Sequence, residues 1–161
     1  MENLLILAVF TFGSFVTGFS QVNPNAIGVR GGAGNNGSGV ELSYQKGMGD
    51  ANRLELDLGF RGSSLYSHLI VTGLYHWVKN ITSGLNWYIG PGAQVGLYSY
   101  KNSSINGGVT LAVGGQLGLE FDFSSLDIPF LISIDTRPMW GFNGGSSGLN
   151  WGGNAAIRYL F

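Results

Sequence analysis

Ten ionisable side chains stand where a strand would place them on one face: Arg30, Glu41, Glu55, Asp57, Arg61, Glu120, Asp122, Asp135, Arg137 and Arg158. Six are acidic and four are basic. On the inner face of a small closed sheet they would be out of water, where each unpaired charge costs several kcal/mol. The chemistry they point to is mutual pairing, a plug of ion pairs and hydrogen bonds. The alternative is a polar path or a small-solute site. Counted from the short turns, Glu55, Glu120 and Arg158 lie low, and Glu41, Arg61 and Arg137 lie near the loops. Arg30, Asp57 and Asp135 fall near the middle, which offers Arg30 as a partner for Asp57. His68 and His76 are the only histidines. Eight residues apart on one strand, they are separated by about 27 Å and cannot share a metal. His68 has Ser63, Ser64 and Ser67 nearby in sequence, so a hydroxyl nucleophile with a histidine base is conceivable there. Gly32-Ala33-Gly34-Asn35-Asn36-Gly37 spells G-x-G-x-x-G, but a dinucleotide site needs a helix next. The next residues are Val40-Glu41-Leu42-Ser43-Tyr44, a strand pattern, so the motif reads as a flexible hairpin loop. Asn80-Ile81-Thr82 and Asn102-Ser103-Ser104 read as chance matches to glycosylation sequons. No catalytic, metal or cofactor residue is assigned.

The elements that position these residues can be read from composition and period. The chain has 161 residues, 28 of them Gly, with 13% aromatic and 11% charged residues. An ordinary soluble domain carries about 25% charged residues and about 7% Gly. So few charges cannot wet the surface of so small a soluble domain. Yet 44% of residues are hydrophobic, which excludes disorder. With no Cys there are no disulfides, thiolate metal sites or cysteine nucleophiles. A net charge of −1 gives no pull toward nucleic acid.

Residues 4–19 form an uncharged apolar run, too short for a confident membrane span and long enough for the core of a signal peptide. Gly18 and Ser20 supply small residues before a cut at Gln21. The expected organisation is a signal peptide over 1–20 and one domain over 21–161. Met1-Glu2-Asn3 lacks the usual basic charge, and the alternative is an uncleaved anchor.

After residue 21 the apolar period is two. Leu54, Leu56, Leu58 and Phe60 alternate with Glu55, Asp57 and Gly59, and Leu117, Leu119, Phe121 and Phe123 with Gly118, Glu120 and Asp122. Eight strands are expected, near 25–32, 40–48, 53–62, 66–78, 85–99, 109–123, 129–141 and 150–161. Compact turns at 49–52, 79–84 and 124–128 alternate with longer Gly/Asn/Ser loops at 33–39, 100–108 and 142–149. Turns at one end and loops at the other, over an even strand count, give an all-β, eight-stranded antiparallel up-and-down transmembrane β-barrel. The polar face is mostly Gly, Ser, Asn and Gln, unlike the Lys/Glu-rich face of a water-exposed sheet, so it is expected inside. Aromatics fall at strand ends. Tyr75, Trp77, Trp87, Phe121, Phe123 and Tyr159 flank the turns, and Trp140 and Trp151 flank the loops. These eight are expected at the two membrane interfaces. Strand 66–78 breaks the pattern, because Ile70 and Leu74 share a face with His68, Thr72 and His76.

The last residues, Ile157-Arg158-Tyr159-Leu160-Phe161, end the chain on Phe with apolar residues at alternate positions. They resemble the β-signal of Gram-negative outer-membrane barrels. Together with Pro129–Pro138 and Gly152-Gly153-Asn154, they are similar to the closing strands of small, OmpX-like outer-membrane barrels. The resemblance covers the mature chain in pattern and only the last two strands in motif. It implies Ile157, Tyr159 and Phe161 as an assembly signal, the barrel-assembly machinery and outer-membrane lipid as partners, and a bacterial outer-membrane location. It implies no particular activity. The reading that results is a monomeric barrel with a filled polar interior and a structural or surface-interaction role through its loops. Its alternatives are a narrow channel for small or apolar solutes and a lipid-modifying enzyme using His68.

Overall fold

The computed structural model describes residues 22–35, 37–62, 66–100, 107–143 and 147–161. The expected signal peptide over 1–20, Ser63 and Ser64 lie outside the described residues.

The strands are β1 (Asn25–Gly34), β2 (Gly37–Gly47), β3 (Asn52–Gly62), β4 (Tyr66–Thr82), β5 (Leu85–Tyr100), β6 (Gly108–Asp122), β7 (Phe130–Thr136), β8 (Met139–Gly141), β9 (Gly148–Asn150) and β10 (Gly152–Leu160). All pairings are antiparallel, and β10 returns to pair with β1 from Ala26↔Leu160 to Gly34↔Gly152. β7 and β8 pair with β6 in one continuous register. They form a single stave, interrupted where Pro138 has no amide hydrogen to give the ladder. β9 and β10 likewise make one stave across β8 and β7. Ten segments therefore build eight staves, closed into a barrel. Closure pairs every long strand on both sides, and the three-residue β9 pairs on one side, with β8.

Period two becomes inside and outside. Leu56 and Leu58 are 46% and 49% exposed while Asp57 between them is 2% exposed. Val29, Leu42, Val71, Val95, Leu111, Ile134 and Ile157 are likewise outward and exposed. Among the described strand residues, the charged side chains on the outer face are Lys46 and Lys79, both toward the turn end. Tyr75 packs on Trp77, Phe121 on Phe123, and Phe130 on Tyr159, each edge to face, around that same end. Trp140 and Trp151 are exposed at the loop end. The interior is not uniformly polar: Ile70, Leu74 and Val78 of β4 are buried within it, beside His68, Thr72 and His76.

Several connections are shorter than expected. In place of a loop over 33–39, Gly34 pairs with Gly37 and only Asn35 and Asn36 connect β1 to β2. The G-x-G-x-x-G stretch is thus strand, turn and strand. The positive φ falls on Gly37 (+90°), the first residue of β2, a conformation that glycine adopts without strain. The turn expected over 79–84 contracts to Ser83 and Gly84, because Thr82 pairs with Leu85. The loop expected over 142–149 narrows, as β8 runs to Gly141 and β9 starts at Gly148. The turn over 124–128 carries a short 3-10 helix, Phe123–Leu126, whose Ser124 amide is capped by the Asp122 carboxylate at 2.8 Å.

An eight-stranded barrel is just wide enough for its own side chains. Two inward-facing glycines show how closely it is filled. A Cβ on Gly118 would lie 2.5 Å from the Tyr88 ring, and one on Gly59 would lie 2.8 Å from Cγ of Glu41.

Candidate functional site

The interior is built from alternate residues of the staves. β1 gives Arg30, β2 gives Glu41, Ser43 and Gln45, and β3 gives Arg53, Glu55, Asp57 and Arg61. β6 gives Gln116 and Glu120, β7 gives Ser133 and Asp135, and β10 gives Arg158. Arg137 projects inward from the break between β7 and β8, its side chain 3% exposed.

Arg137 is the hub. Its Nη1 donates to Glu41 Oε2 at 3.0 Å, its Nη2 to Glu55 Oε1 at 3.2 Å and to Asp57, and its Nε to Gln116 Oε1 at 3.0 Å. Arg30 donates through Nη1 to Glu41 at 2.8 Å and through Nη2 and Nε to Asp135. Arg158 spends its three nitrogens on Glu55 (3.1 Å), Ser43 (3.0 Å) and Ser133 (2.9 Å). Tyr88 donates to Asp135 and accepts from Gln116, each at 3.3 Å. These three arginines thus have every nitrogen bonded, the condition under which buried charge is tolerated.

Of the ten sequence-derived interior residues, nine meet in this network. Asp57 pairs with Arg137 and not with Arg30, which is taken by Glu41 and Asp135. Asp122 is the tenth. It sits half-buried at the turn-side mouth, where it caps the 3-10 helix and accepts from Asn23 at 2.5 Å. One charged residue was missed, besides the uncharged partners Ser43, Tyr88, Gln116 and Ser133. Arg53 is 2% exposed, bridges Glu120 at 2.6 Å, donates to His76 Nδ1 at 3.3 Å and lies 4.6 Å from the Tyr88 ring centroid. The alternation of Leu54, Leu56 and Leu58 places position 53 inward, so the signal was present one residue beyond where the pattern was read. With Arg53 added and Asp122 at the rim, Arg30, Arg53, Arg61, Arg137 and Arg158 face Glu41, Glu55, Asp57, Glu120 and Asp135: the described interior is charge-balanced.

The network leaves little room. At the loop end is a cavity of about 30 Å³, lined by Arg61, His68, Gln94, Thr110, Arg137 and Asn154 among others. At the turn end is one of about 10 Å³ bordered by Arg53, Glu120 and Asp122. A single water needs roughly 10–15 Å³ on this measure. His68 Nε2 shares a hydrogen bond of 2.7 Å with Thr110 Oγ1. Ser67, one residue along β4, lies on the opposite face, so these two make no nucleophile–base pair. Among the described residues, no group of three or more His, Asp or Glu could hold a metal.

The assembly-signal residues Ile157, Tyr159 and Phe161 all lie outward and exposed. Arg158 between them is buried on Glu55 and the two serines.

No family model matches the chain, and no curated protein matches it by sequence. Solved structures do resemble it. Neisserial surface protein A, NspA, superposes with a TM-score of 0.66 at 10% identity, over 85% of this chain and 96% of that one. Ail, the attachment invasion locus protein of Yersinia pestis, gives 0.57 at 15% identity, over 87% and 100%. The de novo designed protein TMB2.3 gives 0.50 at 14% identity, over 88% and 96%. At these identities the likeness is one of fold.

Proposed function

We propose that this chain is a small outer-membrane β-barrel, non-catalytic and closed to solutes, that acts by holding its loop-end segments at the cell surface. The observation that carries the reading is the pairing of an apolar outer wall with a charge-balanced interior that has room for only a few waters. In water the outer wall would be an aggregation surface; in lipid it is the side that must be apolar. Only closed barrels and helices satisfy every backbone group inside a bilayer. The names of two fold neighbours, a surface protein and an attachment protein, accord with a surface role. Outer-membrane lipid is then the partner of the wall. The barrel-assembly machinery would read Ile157, Tyr159 and Phe161 after export on a cleaved segment over 1–20.

Conductance across planar bilayers tests closure. The protein should insert and give no discrete current steps in molar salt. Steps of fixed size would replace this reading with the narrow channel. Protease treatment of intact cells tests the surface role, and protection of every loop-end segment would remove it.

A further inference from the structure

Val22, Asn23 and Pro24 precede β1 at the turn end, and they are tied down there. The Val22 amide donates to the Asp50 carbonyl in the β2–β3 turn at 3.2 Å, and the Pro24 carbonyl accepts from the Gly47 amide on β2 at 2.9 Å. Between them, Asn23 Nδ2 donates to the Asp122 carboxylate at 2.5 Å. Asp122 ends β6, and β10 and β7 stand between β1 and β6 around the barrel. Asn23 therefore reaches across the turn-side mouth, while Val22 is anchored on the opposite side of β1. Gly47 accommodates this path, because a Cβ there would lie 2.8 Å from the Asn23 carbonyl oxygen.

The cavity of about 10 Å³ at this end shows what the segment covers. Val22 and Asn23 line it together with Gln45, Arg53, Asn86 and Glu120, which point inward from β2, β3, β5 and β6. A space bordered by staves from around the barrel is the turn-side end of its interior, and Val22 and Asn23 close it over. Gln45, Arg53, Asn86 and Glu120 are each 8% exposed or less, although all four stand within three residues of a turn-side strand end. The attachment of the cover is light. Val22 and Asn23 are half-buried and Pro24 is exposed, and Pro24 has no amide hydrogen to give. A short segment held by few bonds over little buried surface opens locally, without unfolding the sheet beneath it.

We propose that Val22–Pro24 is a lid that seals the turn-side mouth and opens on its own, admitting water to Gln45, Arg53, Asn86 and Glu120 while the barrel stays filled at Arg137. This goes beyond a filled interior, because it adds a movable closure at one end. It stands whether or not the wall lies in lipid. Conductance does not read it, since Arg137 and its partners still fill the barrel beneath the lid.

The test is the reaction rate of a single cysteine with a water-soluble methanethiosulfonate, in the full chain refolded in zwitterionic micelles; the native chain has no Cys. Asn86→Cys should react on the order of 100-fold more slowly than Ser125→Cys, an exposed position at the same end. Adding Asn23→Ala should speed the Asn86→Cys reaction about 10-fold, because the bond from the lid to the Asp122 carboxylate is lost. Truncation to a chain starting at Asn25 should bring it to the Ser125→Cys rate; if that chain does not refold, Asn23→Ala decides. Gln45→Cys, which lines the same space from β2, should follow the same pattern. Thr110→Cys, at the loop-end cavity, should keep its rate in every background. Acceleration of Thr110→Cys equal to that of Asn86→Cys would overturn the proposal, since the segment would then be bracing the whole barrel. An Asn86→Cys reaction as fast as that of Ser125→Cys in the full chain would overturn it as well, as would a slow rate that Asn23→Ala leaves unmoved.

Discussion

At the scale of single residues, the energetics are governed by which charge would be left alone. Among the described residues, Arg137 is the only guanidinium bonded to Asp57, whereas Glu41 and Glu55 keep other arginines if it is removed. Removing one member of a buried pair typically costs ~3–5 kcal/mol, because the other charge stays behind uncompensated. Arg137→Gln should therefore lower unfolding free energy in lipid vesicles by about that amount, read from urea titration of tryptophan fluorescence. Adding Asp57→Asn removes the orphaned charge, and the double variant should recover part of the loss. A double variant as unstable as the sum of the single ones would show that the two residues are not coupled. Most of this network was legible in the sequence: parity along each strand assigns Arg30, Glu41, Glu55, Arg61, Glu120, Asp135 and Arg158 to one face. The partners were not. Asp57 and Arg30 sit at similar heights, but pairing depends on how staves face each other across the barrel, which no local pattern encodes. Arg137 is inward by the same parity as Asp135 and Met139, but parity does not show that it reaches Asp57. Arg53 was missed for a smaller reason, its place at the very start of a strand.

At the scale of elements, the β1–β2 connection shows how a side chain can replace a missing ladder bond. Asn35 donates to the Leu149 carbonyl and accepts from the Trp151 amide, both at 2.9 Å. It thereby ties the tip of the first hairpin to the stave β9–β10 where that stave is interrupted. Each such bond contributes on the order of 1 kcal/mol net. Asn35→Ala should speed hydrogen exchange of the Trp151 amide by about 5- to 30-fold and leave the β3–β4 amides unchanged, since about 1–2 kcal/mol of local stability is removed. Uniform acceleration across the barrel would instead mean that the turn supports the whole fold. Strand existence and order were readable from the alternation, and the ends were not. Gly and Asn over 33–39 suit a long loop, yet the same residues also build a two-residue turn flanked by glycines in strand conformation. Composition cannot separate the two. Pairing across the closed sheet does, because the backbone groups of Ala33, Gly34 and Gly37 find partners only if the strands run on.

At the scale of the whole molecule, one choice decides every other statement: whether the aliphatic wall faces lipid. The closed sheet alone is compatible with either orientation in principle, since soluble barrels also alternate. Here the side chains settle which face is which. Leu42, Leu58, Val71, Val95, Leu111 and Ile134 are outside, and arginines paired with carboxylates are inside. This inversion was visible in the sequence because the polar face offers too few charges to serve as a water-exposed surface. The location of the barrel in a membrane is the step that experiment must supply. On β3, Leu56 and Leu58 should meet acyl chains, while Asp57 should meet only its ion-pair network. A charge on a lipid-facing position near the midplane costs about 2–4 kcal/mol for Arg. Leu58→Arg should therefore destabilise the protein in vesicles by that order. The same substitution should cost much less in a short-chain detergent, whose headgroups and water lie close to the wall. Magnitude alone would not identify the environment, because many core substitutions cost as much. Location does. The native chain has no Cys, so a single cysteine at 56 or 58 reports from one position. In vesicles it should resist a water-soluble maleimide and react with a lipid-soluble one. A spin label there should be relaxed more by oxygen than by a polar nickel complex, and the contrast should fade at Lys46, near the turn-side rim. If positions 56 and 58 instead react fully with the water-soluble reagent while the vesicles remain intact, the wall is not in lipid. The membrane reading would then fall, with the surface role built on it.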